Sequence, residues 1–403
     1  MSESIPPPGD PDHALSLEQA LKSRTFLIQR LSDIVCWPAT RVPAHERELA
    51  ADVLVGLLRT ASLELRERCA TRLALIVDAP KMLLRYLARD DISVARPLLE
   101  TSPAFDESDL LATIRGGIRT HWLAIAARRH VPALVSEALI GTGDVSVIQS
   151  LLRNVGAKLS HGAVDSAVMQ SREAVHLTPL IARRPEASPA QALTMFWWAE
   201  HETRIYILRR FAVDRAVLCA ELADLFKMAA SEDWADPETR KAIALLERRQ
   251  RNRMASTRGP YSSLENAVAA GAQGIDRELL DEISYLSGIR PQTGVKIMSD
   301  RGGEGIAVLC KATGLKRDSL RGLWTGLRRS IQDAEDLTSP FGRVQHVYDL
   351  LSNAKAQTVL RYWNWSLSSG LGAGEHESLD PDHGDLEFLP ARRSAALVFG
   401  RRN

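Results

Sequence analysis

Apolar residues recur at helical spacing almost from the start of this chain. Leu21, Leu27, Ile28, Leu31, Ile34 and Val35 form one stripe that stops near Trp37-Pro38, and this predicts an amphipathic helix. Ser16-Leu17-Glu18-Gln19 offers that helix a capping box, with Gln19 three residues after Ser16. A second helix is expected after Pro43, carrying Leu49, Val53, Leu54 and Leu57. Sustained period-two alternation is missing, and few β-branched runs lie between turns, so strands are not expected.

Further along the pattern repeats itself. Asp91-Ile92-Ser93-Val94 through Leu98-Leu99 matches Asp144-Val145-Ser146-Val147 through Leu151-Leu152 at every apolar position, 53 residues on. Pro97-Leu98-Leu99 returns as Pro179-Leu180-Ile181, 82 residues on. Helices are expected between these segments, at Asp109 to Arg115, Ile118 to Arg128 and Pro132 to Ile140. The offsets therefore hold two and three units of about 27 residues, each a pair of short helices. One such pair leaves an apolar stripe bare, and stacking the next pair covers it. Asp91 and Asp144 are the expected N-caps, each worth about 1 kcal/mol.

The expected fold is all-α: a HEAT-like helical-repeat solenoid followed by a smaller helical module. Residues 1–15, rich in Pro and Asp, read as a disordered N-terminus. The repeat domain covers residues 16–254 and closes on one long helix, 235–254, with Ile243, Leu245 and Leu246 inward. Gly259-Pro260 marks the boundary. The C-terminal module spans 261–367, with helices near Leu279 to Leu286, Pro291 to Ser299, Ile306 to Thr313, Asp318 to Ile331 and Phe341 to Leu360. Residues 368–403 read as a tail.

These residues carry a resemblance. Ala124-Ile125-Ala126 with Arg128, Gly143-Asp144, Val147, Leu151-Leu152, Asn154 and Ala157 form one block. Ala79-Pro80, Leu87-Ala88, Asp90, Val94-Ala95 and Pro97-Leu98-Leu99 extend it upstream. The pattern resembles an uncharacterised bacterial domain-of-unknown-function family with HEAT-like helical repeats, over roughly residues 20 to 215. Leu286-Ser287-Gly288 to Thr313-Gly314-Leu315 is similar to that family's later helices. The resemblance implies the fold and assigns no reaction.

Charge and chemistry narrow the function classes. Lys+Arg 51 against Asp+Glu 50 leaves a net charge of +1, so no global field draws the chain to nucleic acid or acidic membranes. No apolar run reaches the roughly 18 residues of a membrane span. The first residues show no leader pattern, so a cytoplasmic location is expected. Cys36, Cys69, Cys219 and Cys310 are widely spaced and read as small apolar residues. His45-Glu46, His201-Glu202 and His376-Glu377 lack the second His of a zinc-protease helix. Gly302-Gly303-Glu304-Gly305 has neither a preceding strand nor a G-K-[ST] ending, so it reads as a turn before a helix at Ile306. No G-x-S-x-G elbow is present. No catalytic, cofactor-binding or metal residue is nominated, and an enzyme is the least favoured class.

Two features suggest a binding surface. Residues 110 to 136 carry Arg115, Arg119, Arg128, Arg129, His121 and His130, and residues 240 to 258 carry seven basic residues against Glu247 alone. Trp197-Trp198 beside Phe196 is the densest aromatic spot, and on a helix the two indoles would diverge by about 100°. The candidate surface residues are Arg115, Arg119, Arg128, Trp197 and Trp198. Arg119 and Arg128, nine residues apart, would face opposite sides of one helix, so a broken basic patch is expected. The expected function is a non-enzymatic scaffold or adaptor that binds another protein. The alternative is a nucleic-acid-binding repeat protein.

Overall fold

The computed structural model describes residues 11–38, 40–213, 237–331, 336 and 338–372. Residues 1–10 and 373–403, which hold most of the two expected tails, lie outside the described residues, as does Cys219. The described residues form twenty-one α-helices and no strand; one isolated bridge joins Val131 to Ala157. Contacts divide the chain into two compact units, Met1–Ala167 and Val168–Asn403. The division falls within the expected repeat domain.

The first unit begins with α1 (Pro11–Cys36), α2 (Ala44–Leu58), α3 (Leu63–Leu73) and α4 (Lys81–Leu87). It continues with α5 (Ile92–Thr101), α6 (Glu107–Arg115), α7 (Arg119–Ala126), α8 (Ala133–Gly141) and α9 (Val145–Arg153), and the division falls inside α10 (His161–Gln170). Each odd-numbered helix up to α9 packs on the next odd one, while α2 packs on α4 and α6 on α8. Helical hairpins thus stack in two rows. From α3 and α4 onward, equivalent helices start 26 to 29 residues apart, which agrees with the 27-residue period.

The caps and the core follow that register. Asp91 accepts from the Ser93 N–H at 2.9 Å, and Asp144 from the Ser146 and Val147 N–H groups at 2.9 and 3.1 Å. Val94 and Leu98 of α5 are fully buried, as are Val147 and Leu151 of α9. Salt bridges from Lys81 and Arg85 of α4 to Asp106 and Asp109, at 2.5 and 2.6 Å, tie one hairpin to the next.

α1 starts at Pro11, so the cap expected at Ser16 lies inside it. Pro at the first helical position loses no hydrogen bond and carries the polar leading turn into the helix.

The second unit contains α11 (Thr178–Arg183), α12 (Pro189–Met195), α13 (His201–Phe211), α14 (Pro237–Arg258), α15 (Leu264–Gly271) and α16 (Arg277–Ser287). Then follow α17 (Pro291–Ser299), α18 (Glu304–Thr313), α19 (Arg317–Gly326), α20 (Pro340–Leu350) and α21 (Asn353–Gly372). Its centre is α18. Every residue from Glu304 to Cys310 is buried, and α17, α19, α20 and α21 surround it. A helix buried on all sides needs an apolar or small residue at nearly every position, and Gly305-Ile306-Ala307-Val308-Leu309-Cys310 supplies that run.

Four expectations are corrected in this unit. Leu245 and Leu246 of α14 are exposed rather than inward, and α14 seats Ala255 instead; the Ile243 side chain lies outside the described residues. The helix expected from Phe341 to Leu360 is two, α20 and α21. Leu351 turns extended and the Ser352 hydroxyl caps the new helix at the Lys355 N–H, 3.3 Å away. α19 stops at Gly326 rather than Ile331, and α21 runs past the expected start of the tail. Around Gly259-Pro260, α14 packs on α16, and Arg248 pairs with Glu265 and donates to the Thr313 carbonyl at 3.3 Å.

Leu98→Ala and Leu151→Ala should each cost about 2 to 5 kcal/mol in urea unfolding followed by circular dichroism, as buried Leu truncations do. A loss under 1 kcal/mol at both would remove the shared register.

Candidate functional site

Each turn from an even to an odd helix in the first unit ends on an aliphatic residue, and in the first three an arginine precedes it. Arg59 precedes Leu63, Arg89 precedes Ile92, Arg115 precedes Ile118, and Thr142 precedes Val145. Gly117 and Gly143, with φ of 79° and 74°, end α6 and α8 in the left-handed region and deliver Ile118 and Val145 to the next helix start. The odd helices lie side by side, so these turns share one edge at steps of roughly 8–10 Å. Leu63, Ile118 and Val145 are exposed by 42, 43 and 37%, and Ile92 is half-buried. Arg59, Arg89 and Arg115 are exposed, and none has an acidic partner among the described residues.

The five candidate surface residues part company. Arg115 lies on this edge at the end of α6. Arg119 lies there too, but it pairs with Asp144 at 2.8 Å and donates to the Ser146 hydroxyl at 2.7 Å. Arg128 is not a surface residue. It falls past the end of α7, so it does not share a helix with Arg119, and it is buried. Its guanidinium donates to the Leu99 carbonyl at 2.5 Å and the Ser102 carbonyl at 2.7 Å. Burial holds its pKa down. Asn154 repeats the arrangement one hairpin later, donating to the Ala126 and Arg128 carbonyls at 2.8 and 2.7 Å. His121 is buried with Nε2 3.0 Å from the Asp90 carbonyl. The basic stretch is broken up, but because two of its members are interior and not, as expected, because Arg119 and Arg128 face opposite sides of one helix.

Trp197 and Trp198 do not sit on a helix, which corrects the 100° divergence. α12 ends at Met195, and both occupy the following turn. Trp197 is buried against Trp363 of α21 and Phe196, with ring centroids 4.6 and 5.7 Å away. Trp198 is half-buried and donates to the Ser171 hydroxyl at 3.0 Å. Both belong to the packing of the second unit.

Sequence reading missed a buried ionic cluster beside them. Arg204 of α13 donates to Asp300 at 2.8 Å and Glu304 at 2.7 Å, and also to the Ala199 carbonyl at 2.8 Å. His201 lies 2.8 Å from the other Glu304 oxygen. The Gly303 N–H donates to Asp300 at 3.0 Å, and Arg329 donates to the Met298 and Asp300 carbonyls at 2.8 and 2.7 Å. Gly302 and Gly303 close over the cluster. A Cβ on Gly302 would strike Glu304, and one on Gly303 would strike Trp324, in a backbone with φ of 78° that already favours glycine. Gly302 and Gly303 form the expected turn, held to this shape by the ion pair beneath it, while the helix begins at Glu304, two residues before the expected Ile306. Burial pushes the Glu304 carboxyl up, but the Arg204 charge and the His201 hydrogen bond outweigh it and hold the carboxyl below its ordinary range. Asp300 and Glu304 are satisfied by Arg204, so the cluster is arranged to hold helices together.

Among the described residues, no group of three or more His, Cys, Asp or Glu is placed to hold a metal ion. No helix among them is long and apolar enough to cross a membrane.

Residues 94–361 match the model of a family described as an uncharacterised protein conserved in bacteria, DUF2336. The chain belongs to the DUF2336 family. The DUF2336 match runs further toward the C-terminus, and begins later, than the resemblance over residues 20 to 215. It takes in Arg115, Ile118 and Val145 of the edge and the whole ionic cluster, while Arg59, Leu63, Arg89 and Ile92 lie upstream of it. No curated protein and no solved structure matches the chain.

Arg128→Ala should destabilise by about 1–3 kcal/mol for each carbonyl left bare, whereas Arg115→Ala should stay within about 0.5 kcal/mol; urea unfolding separates them. Arg204→Ala, which leaves Asp300 and Glu304 uncompensated, should cost about 3–5 kcal/mol. Because Glu304 is held below its ordinary value, its stabilisation is complete above the unfolded value near ~4.3 and fades as pH falls through the folded one. Glu304→Gln should flatten that acid limb, and an unchanged limb would show that Glu304 does not drive it.

Proposed function

We propose that this DUF2336 protein is a non-enzymatic interaction scaffold that binds another protein along the edge carrying Leu63, Ile92, Ile118 and Val145. One observation carries the reading: an aliphatic side chain recurs at the same place in four successive hairpins, exposed at Leu63, Ile118 and Val145 and half-buried at Ile92. A single exposed aliphatic residue is ordinary, but a contiguous apolar line marks a contact surface. The opposite edge also exposes Leu75, Val77 and Val155, but the exposed Arg129 interrupts it between hairpins. Repeat stacks suit this work because their equivalent positions align into one long surface. The proposed setting is the cytoplasm, where Cys36, Cys69 and Cys310 stay as free thiols.

A photo-crosslinking amino acid in place of Ile118, expressed in the native host, should trap one discrete protein, and the same substitution at Val155 should not. Adding Val145→Glu to the Ile118 crosslinker should abolish the adduct while leaving the circular dichroism spectrum intact. Trapping from Val155 but not from Ile118 would move the binding surface to the other edge and end this reading.

A further inference from the structure

The edge carries two rows in step. Beside the aliphatic line runs a line of arginines, Arg59, Arg89 and Arg115, at the ends of α2, α4 and α6. Basic residues there complement the carbonyl ends of their helices, which accounts for their residue type. It does not account for their exposure, nor for the absence of any acidic partner among the described residues. The acids closest in sequence are engaged elsewhere. Glu64, nearest to Arg59, pairs with Arg68 at 2.6 Å; Asp90, next to Arg89, pairs with Arg66 at 2.9 Å, and Asp91 caps α5; Asp109, nearest to Arg115, pairs with Arg85 at 2.6 Å. Three unneutralised guanidinium groups thus alternate with aliphatic side chains along one edge.

We infer that this edge takes an extended, acidic segment of a partner protein with an apolar side chain at every third residue, an inference that rests on the protein-binding reading above. Helices in one row lie roughly 8–10 Å apart. A β-extended chain advances ~3.3 Å per residue but alternates its side chains between two faces, so every third one would point away. A polyproline-type chain advances ~3.1 Å with about three residues per turn, so three residues cover one step and return the next side chain to the same face. Every third side chain then meets Leu63, Ile92, Ile118 and Val145 in turn. The residues between them bring carboxylates to Arg59, Arg89 and Arg115. An amphipathic helix presents two or more apolar residues over the same length, and the row offers only one per step. A nucleic-acid backbone would engage the arginines and leave the aliphatic line uncovered. The fourth step has Thr142 in place of an arginine, so the acidic preference belongs to the first three steps.

The test uses the full chain and fluorescence anisotropy with a labelled (Glu-Pro-Leu)4 peptide at physiological salt. Three further probes are (Lys-Pro-Leu)4, (Glu-Pro-Ser)4 and a 12-nucleotide single-stranded DNA. The first peptide should bind at least tenfold more tightly than each of the others. Combining Arg59→Glu, Arg89→Glu and Arg115→Glu should weaken it at least tenfold and transfer the preference to (Lys-Pro-Leu)4. Should the triple variant fail to fold, Arg89→Gln with Arg115→Gln serves, with a loss of at least threefold expected. No binding of (Glu-Pro-Leu)4, equal binding of the lysine peptide or tighter binding of the DNA would overturn the inference. So would sedimentation showing a dimer that Ile118→Ser dissolves, since the occupant would then be a second copy. If Ile118 traps a protein while (Glu-Pro-Leu)4 does not bind, the acidic preference fails and the interaction edge stands; if Ile118 traps nothing, both fall.

Discussion

A helix leaves its last carbonyls without partners inside itself, and a stack of short helices multiplies that deficit at every turn. This protein meets it with one recurring device. A side chain just beyond, or near the end of, one helix reaches back and donates twice to the terminal carbonyls of an earlier one. Arg128 does so for Leu99 and Ser102, and Asn154 for Ala126 and Arg128. In the second unit Arg210 does it for Ala182 and Arg184, and Arg329 for Met298 and Asp300. Arginine suits the task because its planar fork can reach two acceptors at once while its stem stays in apolar surroundings. Helices of six to ten residues depend on such donors to settle their ends inside a protein, since isolated helices of that length are marginal in water.

The same device explains which parts of the fold were legible in the sequence. The period, the Asp91 and Asp144 caps and the Val94–Leu98 core depend on neighbours within a few turns, and local spacing records them. Arg128 looked like surface charge because its partners are backbone carbonyls, which leave no mark in the composition. The cluster around Arg204 was hidden for another reason. Its carboxylates lie 96 and 100 residues away, and no spacing rule reaches that far. Leu245 and Leu246 are apolar yet exposed because the contact of α14 runs through small Ala255, and residue type alone does not fix which way a side chain faces. Of the edge that carries Leu63, Ile118 and Val145, the sequence singles out Arg115, but as part of a basic cluster. The signal that would have found the rest is the turn itself: arginine, two or three residues, then an aliphatic residue.

Charge is placed differently in the two units. In the first, ion pairs link successive hairpins at partly exposed positions, as between Lys81 and Asp106 or Arg66 and Asp90. Such pairs contribute little energy individually and mainly set register. In the second, Arg204, Asp300 and Glu304 are interior, with side chains exposed by 8, 4 and 2%. A buried pair of this kind gives little net stability over an apolar replacement but makes any other arrangement costly. The family match includes this cluster together with the later hairpins.

The sequence distances between bonded partners set an order of assembly. In the first unit the partners lie close along the chain, 24 residues apart for Arg85 and Asp109 and 31 for His121 and Asp90. In the second, Tyr362 bonds to Ala190 across 172 residues and Trp363 to Leu193 across 170. Closing such long loops delays folding, whereas local contacts form quickly. On a ribosome the hairpins of the first unit can therefore consolidate one after another as they emerge. The turn carrying Trp197 must wait for α21, the last of the described helices, before its indole is covered, and until then the nascent chain displays the most aromatic part of its core to solvent.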